Sequence, residues 1–398
     1  MHHFISESPW DGRAVIEQMQ QAVAARPDMA GGVLIIDESA DAKAGKMSVG
    51  AGRQHNGRLG KIDQCQVGVF AAYAQGDYWT WVDGALFVPQ KWFTPDYERQ
   101  RRKTGLLEDM RFQTKPQLAW QLIEQAKAAN LPFVAVDFDS LYGRNTSLRD
   151  ACHAAGIEYY ADVPSNTQVY LEEPTVAWPL TKRGKPSKHY QVVDATAATV
   201  QQVRDDPTTE WHTITLRPTE RGVLVADFAM CPVWTVRPDG AVVAETLLIR
   251  RDHDDYLTYA LTNAATDTPL QTLAALKSQR YFVERSIQDA KSELGWDEFQ
   301  AIKYRAWEHQ LALTILASWF ITETRLDWAA QHPRDPALVE DYETDVLPAL
   351  SMANIRELLR AAMPLPQLSP EQAAQLVVKH LDNRTRSRRS RLRKRSTP

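Results

Sequence analysis

The sequence predicts an α/β fold interrupted by a mostly β module and followed by C-terminal helices. Three observations carry this. Strand-like runs come first, a strand–helix–strand unit follows over 132–161, and strongly apolar helical patterns return after residue 270. With 398 residues, 44% of them hydrophobic and 24% charged, the chain can bury one large core or two ordinary ones.

In order, residues 1–30 read as a helical segment, capped by Asp11, with Val15, Met19, Ala22 and Val23 at helical spacing. Val33–Ile36 is a short apolar, β-rich run entered through Gly31 and Gly32 and expected to stop at Asp37. Strands are expected over Gln64–Tyr73 and Tyr78–Val88, parted by a Gly76–Asp77 turn. A helix over Lys115–Ala129 places Leu118, Leu122, Ile123 and Ala126 on one face. Pro132–Val136 is a second buried strand, leading to Asp137-Phe138-Asp139; a helix over 147–155 and a strand over Ile157–Ala161 complete the first core portion, 31–162. Prolines then punctuate short β-rich runs, marking 163–265 as a β-rich insertion. The second core portion, 266–330, holds helical patterns over Leu270–Leu294 and Ala306–Thr324. A C-terminal helical region (331–383) and a basic tail (384–398) end the chain.

No long apolar run free of charges is present, so no membrane span is expected; no basic-then-apolar leader opens the chain, and the default address is cytoplasmic. Cys65, Cys152 and Cys231 are odd in number and far apart, which argues against a disulfide framework or a zinc site. The tail, including Arg388, Arg389, Arg391, Arg393, Lys394 and Arg395, carries eight Lys or Arg and no acid; subtracting its +8 from the net −4 leaves the body at −12. A basic tail on an acidic body suggests a polyanion such as DNA, since cations laid against phosphates release condensed counterions; a solubilising tail is the plain alternative.

Transfer at a phosphodiester needs attacking and leaving oxygens held against metal charge, which two Mg²⁺ ions about 4 Å apart supply. Mg²⁺ takes hard oxygen ligands, usually a few carboxylates plus water and phosphate. Asp37 and Asp139 end buried strands, at the edge where α/β sheets carry their sites, although such acids also serve as turn residues or helix caps. Asp137 competes with Asp139, because two residues apart on a strand means the same face, whereas Glu38 points opposite to Asp37. In the helix KSQRYFVERSIQDAKSELG, Arg280 lies four residues before Glu284 and Lys291 seven after it. At about 100° per residue the three share a stripe, suiting either a metal ligand beside phosphate-binding cations or an ordinary solvated ion-pair face. Asp289 reads as a surface acid, and His55 and His309 as structural histidines.

Three blocks carry a resemblance. Following Asp37 and Glu38 comes Lys43-x-Gly45-Lys46-x-Ser48-x-Gly50, then Arg53-Gln54, Gly60-Lys61 and Cys65-Gln66; DSLYG (Asp139–Gly143) and VERSIQDAKSELG (Val283–Gly295) follow, with the WEHQLALTILASWF helix behind. In order and interval these resemble the DDE transposases of bacterial insertion sequences, in the branch with a β insertion between the second and third acids. The resemblance implies a ribonuclease-H-like core, two catalytic Mg²⁺ ions (Mn²⁺ substituting), cleavage at transposon ends and joining of the freed 3′-hydroxyl to target DNA. It implies Asp37, Asp139 and Glu284 as metal ligands, Arg280 and Lys291 as phosphate contacts, and a homodimer on double-stranded DNA associated with the bacterial nucleoid. Lys277 stands where the family usually has Tyr, and is expected to touch phosphate as a point charge. Family members also carry more residues ahead of the first acid, so a truncated, non-catalytic DNA-binding relic is an alternative reading. A nuclease that cuts without joining is another.

Overall fold

The computed structural model describes residues 2–178, 190–219, 222–298, 300–331 and 351–362, with 369–372, 374, 375 and 378. It divides into two compact units, Met1–Pro348 and Ala349–Pro398. In the second, the described helix is Met352–Ala362. The basic tail lies outside the described residues.

The first unit is built on a ten-stranded sheet. Its strands are β1 (Gly32–Ala42), β2 (Gly52–Asn56), β3 (Lys61–Gln75), β4 (Tyr78–Phe87), β5 (Phe133–Phe138), β6 (Glu158–Asp162), β7 (His212–Thr219), β8 (Gly222–Val236), β9 (Val242–Arg251) and β10 (Leu257–Thr262). They lie in the order β7-β8-β9-β10-β6-β5-β1-β3-β2, with β4 paired to β3. β1, β5 and β6 run parallel, while β1, β3 and β4 form an antiparallel meander. A three-stranded meander followed by two parallel strands is the ribonuclease-H-like core.

Strand alternation sends apolar residues to both faces. Leu34, Ile36, Val136 and Phe138 join one core cluster, beneath helix α2 (Lys115–Ala128) and helix α3 (Thr146–Ala154). Val33, Ile35, Phe70 and Ala72 join the opposite cluster, with Phe282 and Val283 of helix α5 (Tyr281–Ser292) and Leu311 and Ile315 of helix α6 (Tyr304–Gln331). The N-terminal helix α1 (Gly12–Ala24) starts where Asp11 accepts from the Arg13 and Ala14 amides. It packs on β4 and α6, and Arg13 pairs with the buried Asp83 at 2.8 Å.

Several expectations change. β1 does not stop at Asp37 but runs on to Ala42, still paired with β3 through Ala42 and Cys65. The polar residues ESADA can stay in a strand because their side chains find partners: Glu38 meets Lys115 and Tyr142 on one face, Asp41 meets Lys291 and Trp296 on the other. The pattern over 270–294 is two helices, α4 (Leu270–Ser278) and α5, joined at Gln279 and Arg280. α4 packs on insertion strands β7 and β8, whereas α5 packs on β1, β3 and β4, so the join serves two different platforms. The insertion's strands also continue the core sheet, because β10 pairs antiparallel with β6 through Ala260–Thr262.

That seam is reinforced inside. Glu245 of β9, fully buried, accepts from Arg149 of α3 at 3.0 Å, from Tyr159 of β6 at 2.5 Å and from Arg237 at 3.3 Å, and Thr235 donates to its second oxygen. A charge taken out of water is tolerated only with such pairing. Among the described residues no helix is long and apolar enough to cross a membrane.

Candidate active site

Asp37 and Asp139 come together through the parallel pairing of β1 and β5. Ile36 opposite Phe138 is the last pair of that ladder, and Asp37 and Asp139 follow it directly, near enough for the Asp139 carboxylate to act on Asp37. Parity puts Asp37 on the face that Val33 and Ile35 occupy, towards α5. Glu38 points the opposite way, to Lys115 at 2.5 Å and the Tyr142 hydroxyl at 3.1 Å. Asp139 is itself a helix cap: its Oδ1 accepts from the Leu141 amide at 2.9 Å and the Tyr142 amide at 3.3 Å, opening a single turn over Ser140–Gly143. Capping engages one oxygen and leaves the other for a ligand. Gly143 closes that turn against β6, since a Cβ there would lie 2.0 Å from the Asp162 carbonyl oxygen.

The helix bearing Glu284 docks by its cations. Arg280 donates to Asp37 at 3.2 Å, with Asp162 at 3.3 Å and Asp137 at 4.0 Å from its guanidinium. Eleven residues on, Lys291 meets Asp41 at 3.0 Å and the Ala40 carbonyl at 3.2 Å. Both ends of the stripe are therefore fastened along β1, and Glu284 lies between them in the first turn of α5, exposed. Among the described residues, no three His, Cys, Asp or Glu side chains are gathered into an ion-holding set.

Burial pushes the Asp37 carboxyl up to about 6; Arg280 opposes this, and the neighbouring Asp139 carboxylate adds to it. Asp137, the rival of Asp139, is fully buried, and both its oxygens lie 3.0 Å from the Lys277 ammonium. Burial nevertheless raises its pKa, with Lys277 pulling the other way. Asp137 is thus an internal counter-ion to Lys277.

Lys277 itself was expected at phosphate. It is buried, held between Asp137 and Asp162, the latter at 2.8 Å. Asp289, expected at the surface, is also buried, paired with Arg285 at 3.2 Å and accepting from Trp79 at 3.3 Å. His309 is structural: its ring nitrogens lie 2.7 and 2.8 Å from the Ile5 and Trp10 carbonyls. Sequence reasoning passed over Asp162 and Asp41. Asp162 had the same local signal as Asp37 and Asp139, an acid at the end of a buried strand.

The sequence profile of DDE superfamily endonucleases matches residues 1–223, a stretch that includes Asp37 and Asp139. A probable transposase for insertion sequence element IS701, from Microchaete diplosiphon, is 26% identical over 310 residues, covering 76% of this chain and 69% of that protein. With the ribonuclease-H-like sheet and its paired aspartates, these matches identify the chain as a member of the DDE superfamily endonucleases.

Proposed function

We propose that the protein is a DNA transposase that cleaves transposon ends and joins them to target DNA, with Asp37, Asp139 and Glu284 holding its divalent ions. The observation that carries this is the adjacency of Asp37 and Asp139 just past the Ile36–Phe138 pair, with the Glu284 helix fastened to Asp37 through Arg280. The donor set fits Mg²⁺, or Mn²⁺ in its place, because all three are hard carboxylates on a strand, a capped turn and a helix. Bound there, the ions would hold the attacking and leaving oxygens of a phosphodiester and offset the charge developing on the phosphoryl group.

The chain's own residues orient the reaction. The amides of Leu141 and Tyr142 fix the Asp139 carboxylate. Arg280 positions Asp37, and Lys291 secures the far end of β1 through Asp41. Arg280 and Lys291 also remain our candidates for contact with DNA phosphates, whereas Lys277 acts as an internal counter-ion. The basic tail supplies further duplex contacts in this reading, and two copies act on paired ends.

The test is incubation of the full chain with duplex carrying the element's ends and Mg²⁺. Joined products support the transposase. Cleavage without joining indicates a nuclease, and a band shift without cleavage indicates a DNA-binding relic.

A further inference from the structure

The Lys-x-Gly-Lys-x-Ser-x-Gly block and the Arg-Gln pair after it have no part in the site described above. Residues 43–61 carry five Lys or Arg and no acid, on a chain whose body outside the tail stands at −12. The structure divides their duties. The loop's roots are clamped: the Lys43 amide donates to Gln64 at 2.9 Å, and the Val49 amide to Ile302 at 2.9 Å. Gln66 donates to the Val49 carbonyl at 2.6 Å; Gln54 donates to those of Gly50 and Cys65 at 3.1 and 3.0 Å. Gly50, at φ +66, makes the left-handed turn that leads into β2. These contacts account for the two glutamines and Gly50. They do not account for Lys46 or Arg53, both exposed.

Register shows where Arg53 points. β1, β3 and β2 pair without a bulge from Asp37 opposite Phe70, through Asp41 opposite Gln66, to Arg53 opposite Gln64 and His55 opposite Ile62. Residues opposite one another share a face, so Asp37, Asp41, Arg53 and His55 project on one side of the sheet. The edge strand thus presents Arg53 on the face of Asp37, and the held loop just ahead of it carries the exposed Lys46.

We propose that the 43–50 loop and Arg53 seat the DNA backbone flanking the reacting phosphodiester. The occupant is duplex phosphate, because charge complementarity on this face is to an extended polyanion and is sequence-independent. This inference rests on the transposase reading, and its test can fail separately. The full chain, tail included, is titrated against a mixed-sequence duplex of about 40 base pairs, without divalent metal, across 50–200 mM salt. In Lys46→Gln/Arg53→Gln the slope of log affinity against log salt should flatten by about 1.8, two contacts at ~0.9 each. Lys46→Arg/Arg53→Lys, which keeps both charges, should hold the wild-type slope. A Gln pair with the wild-type slope overturns this seat and leaves the transposase reading standing; a wild-type chain that binds no duplex overturns both.

Discussion

Lys277 offers a test in which two roles predict opposite results. Its ammonium lies 3.0 Å from both oxygens of Asp137, which is fully buried, and 2.8 Å from Asp162. Lys277→Met keeps most of the stem's volume and removes the charge. Breaking a buried pair from one side costs about 3–5 kcal/mol, because the other charge is left in a medium that solvates it poorly. Arg280 stays 4.0 Å from Asp137 and 3.3 Å from Asp162, so the loss should fall near the lower end, about 3 kcal/mol. The penalty depends on pH. Asp137 already has a raised pKa from burial, and losing its cation raises it further. A carboxyl whose folded pKa lies above its unfolded value costs stability as pH rises from about 4, at about 1.4 kcal/mol per unit, until the folded pKa is passed. K277M should therefore be destabilised more at pH 8 than at pH 5, and K277M/D137N should recover most of the loss. Urea unfolding measures both. A phosphate-contacting Lys277 would do the reverse: K277M would unfold within about 1 kcal/mol of wild type and lose ~0.9 from the salt slope of DNA binding. That pair of results would refute the counter-ion assignment.

Other outcomes follow from single contacts. Gly143→Ala places a Cβ 2.0 Å from the Asp162 carbonyl oxygen, with backbone on both sides, so it should cost about 3 kcal/mol in thermal unfolding and reduce cleavage by moving the turn that Asp139 caps. Glu245→Ala strands the buried Arg149, whereas Arg237 keeps Asp150 at 2.7 Å; about 3–5 kcal/mol should be lost in denaturant unfolding, and less for Glu245→Gln. Burial pushes the Cys152 thiol up to about 12. The native state then holds a proton that the unfolded state releases near pH 8.5–9, so alkaline titration should erode stability above pH 9 by about 1.4 kcal/mol per unit, and Cys152→Ala should make that decline shallower.

Much of the fold was legible because its signals are local. The run Val33–Ile36, the Asp11 cap and the apolar face of α2 each depend on neighbours in sequence, and each formed where expected. The parts that were not legible depend on distant partners. Nothing local shows that the polar stretch after Asp37 stays in a strand; Lys115 and Lys291, far along the chain, pair its acids. Lys277 reads as a surface cation until Asp137 and Asp162 are brought around it. Asp289 falls off the stripe of Glu284, yet Trp79 and Arg285 enclose it. In the candidate site, the strand runs indicated where Asp37 and Asp139 should lie, but their adjacency follows from the register of β5 against β1, whose last pair is Ile36 and Phe138. The insertion's composition announced strands, while its continuity with β6 came from pairing that spans a hundred residues.

The most direct measurement is Mn²⁺ binding, followed by electron paramagnetic resonance, to the wild-type chain with end-sequence duplex and to Asp37→Ala, Asp139→Ala and Glu284→Ala. Each alanine variant should lose tightly bound Mn²⁺ and strand cleavage together while holding the duplex with near wild-type affinity. An alanine variant that binds the metal and cuts as well as wild type would contradict the account and remove its residue from the ion site.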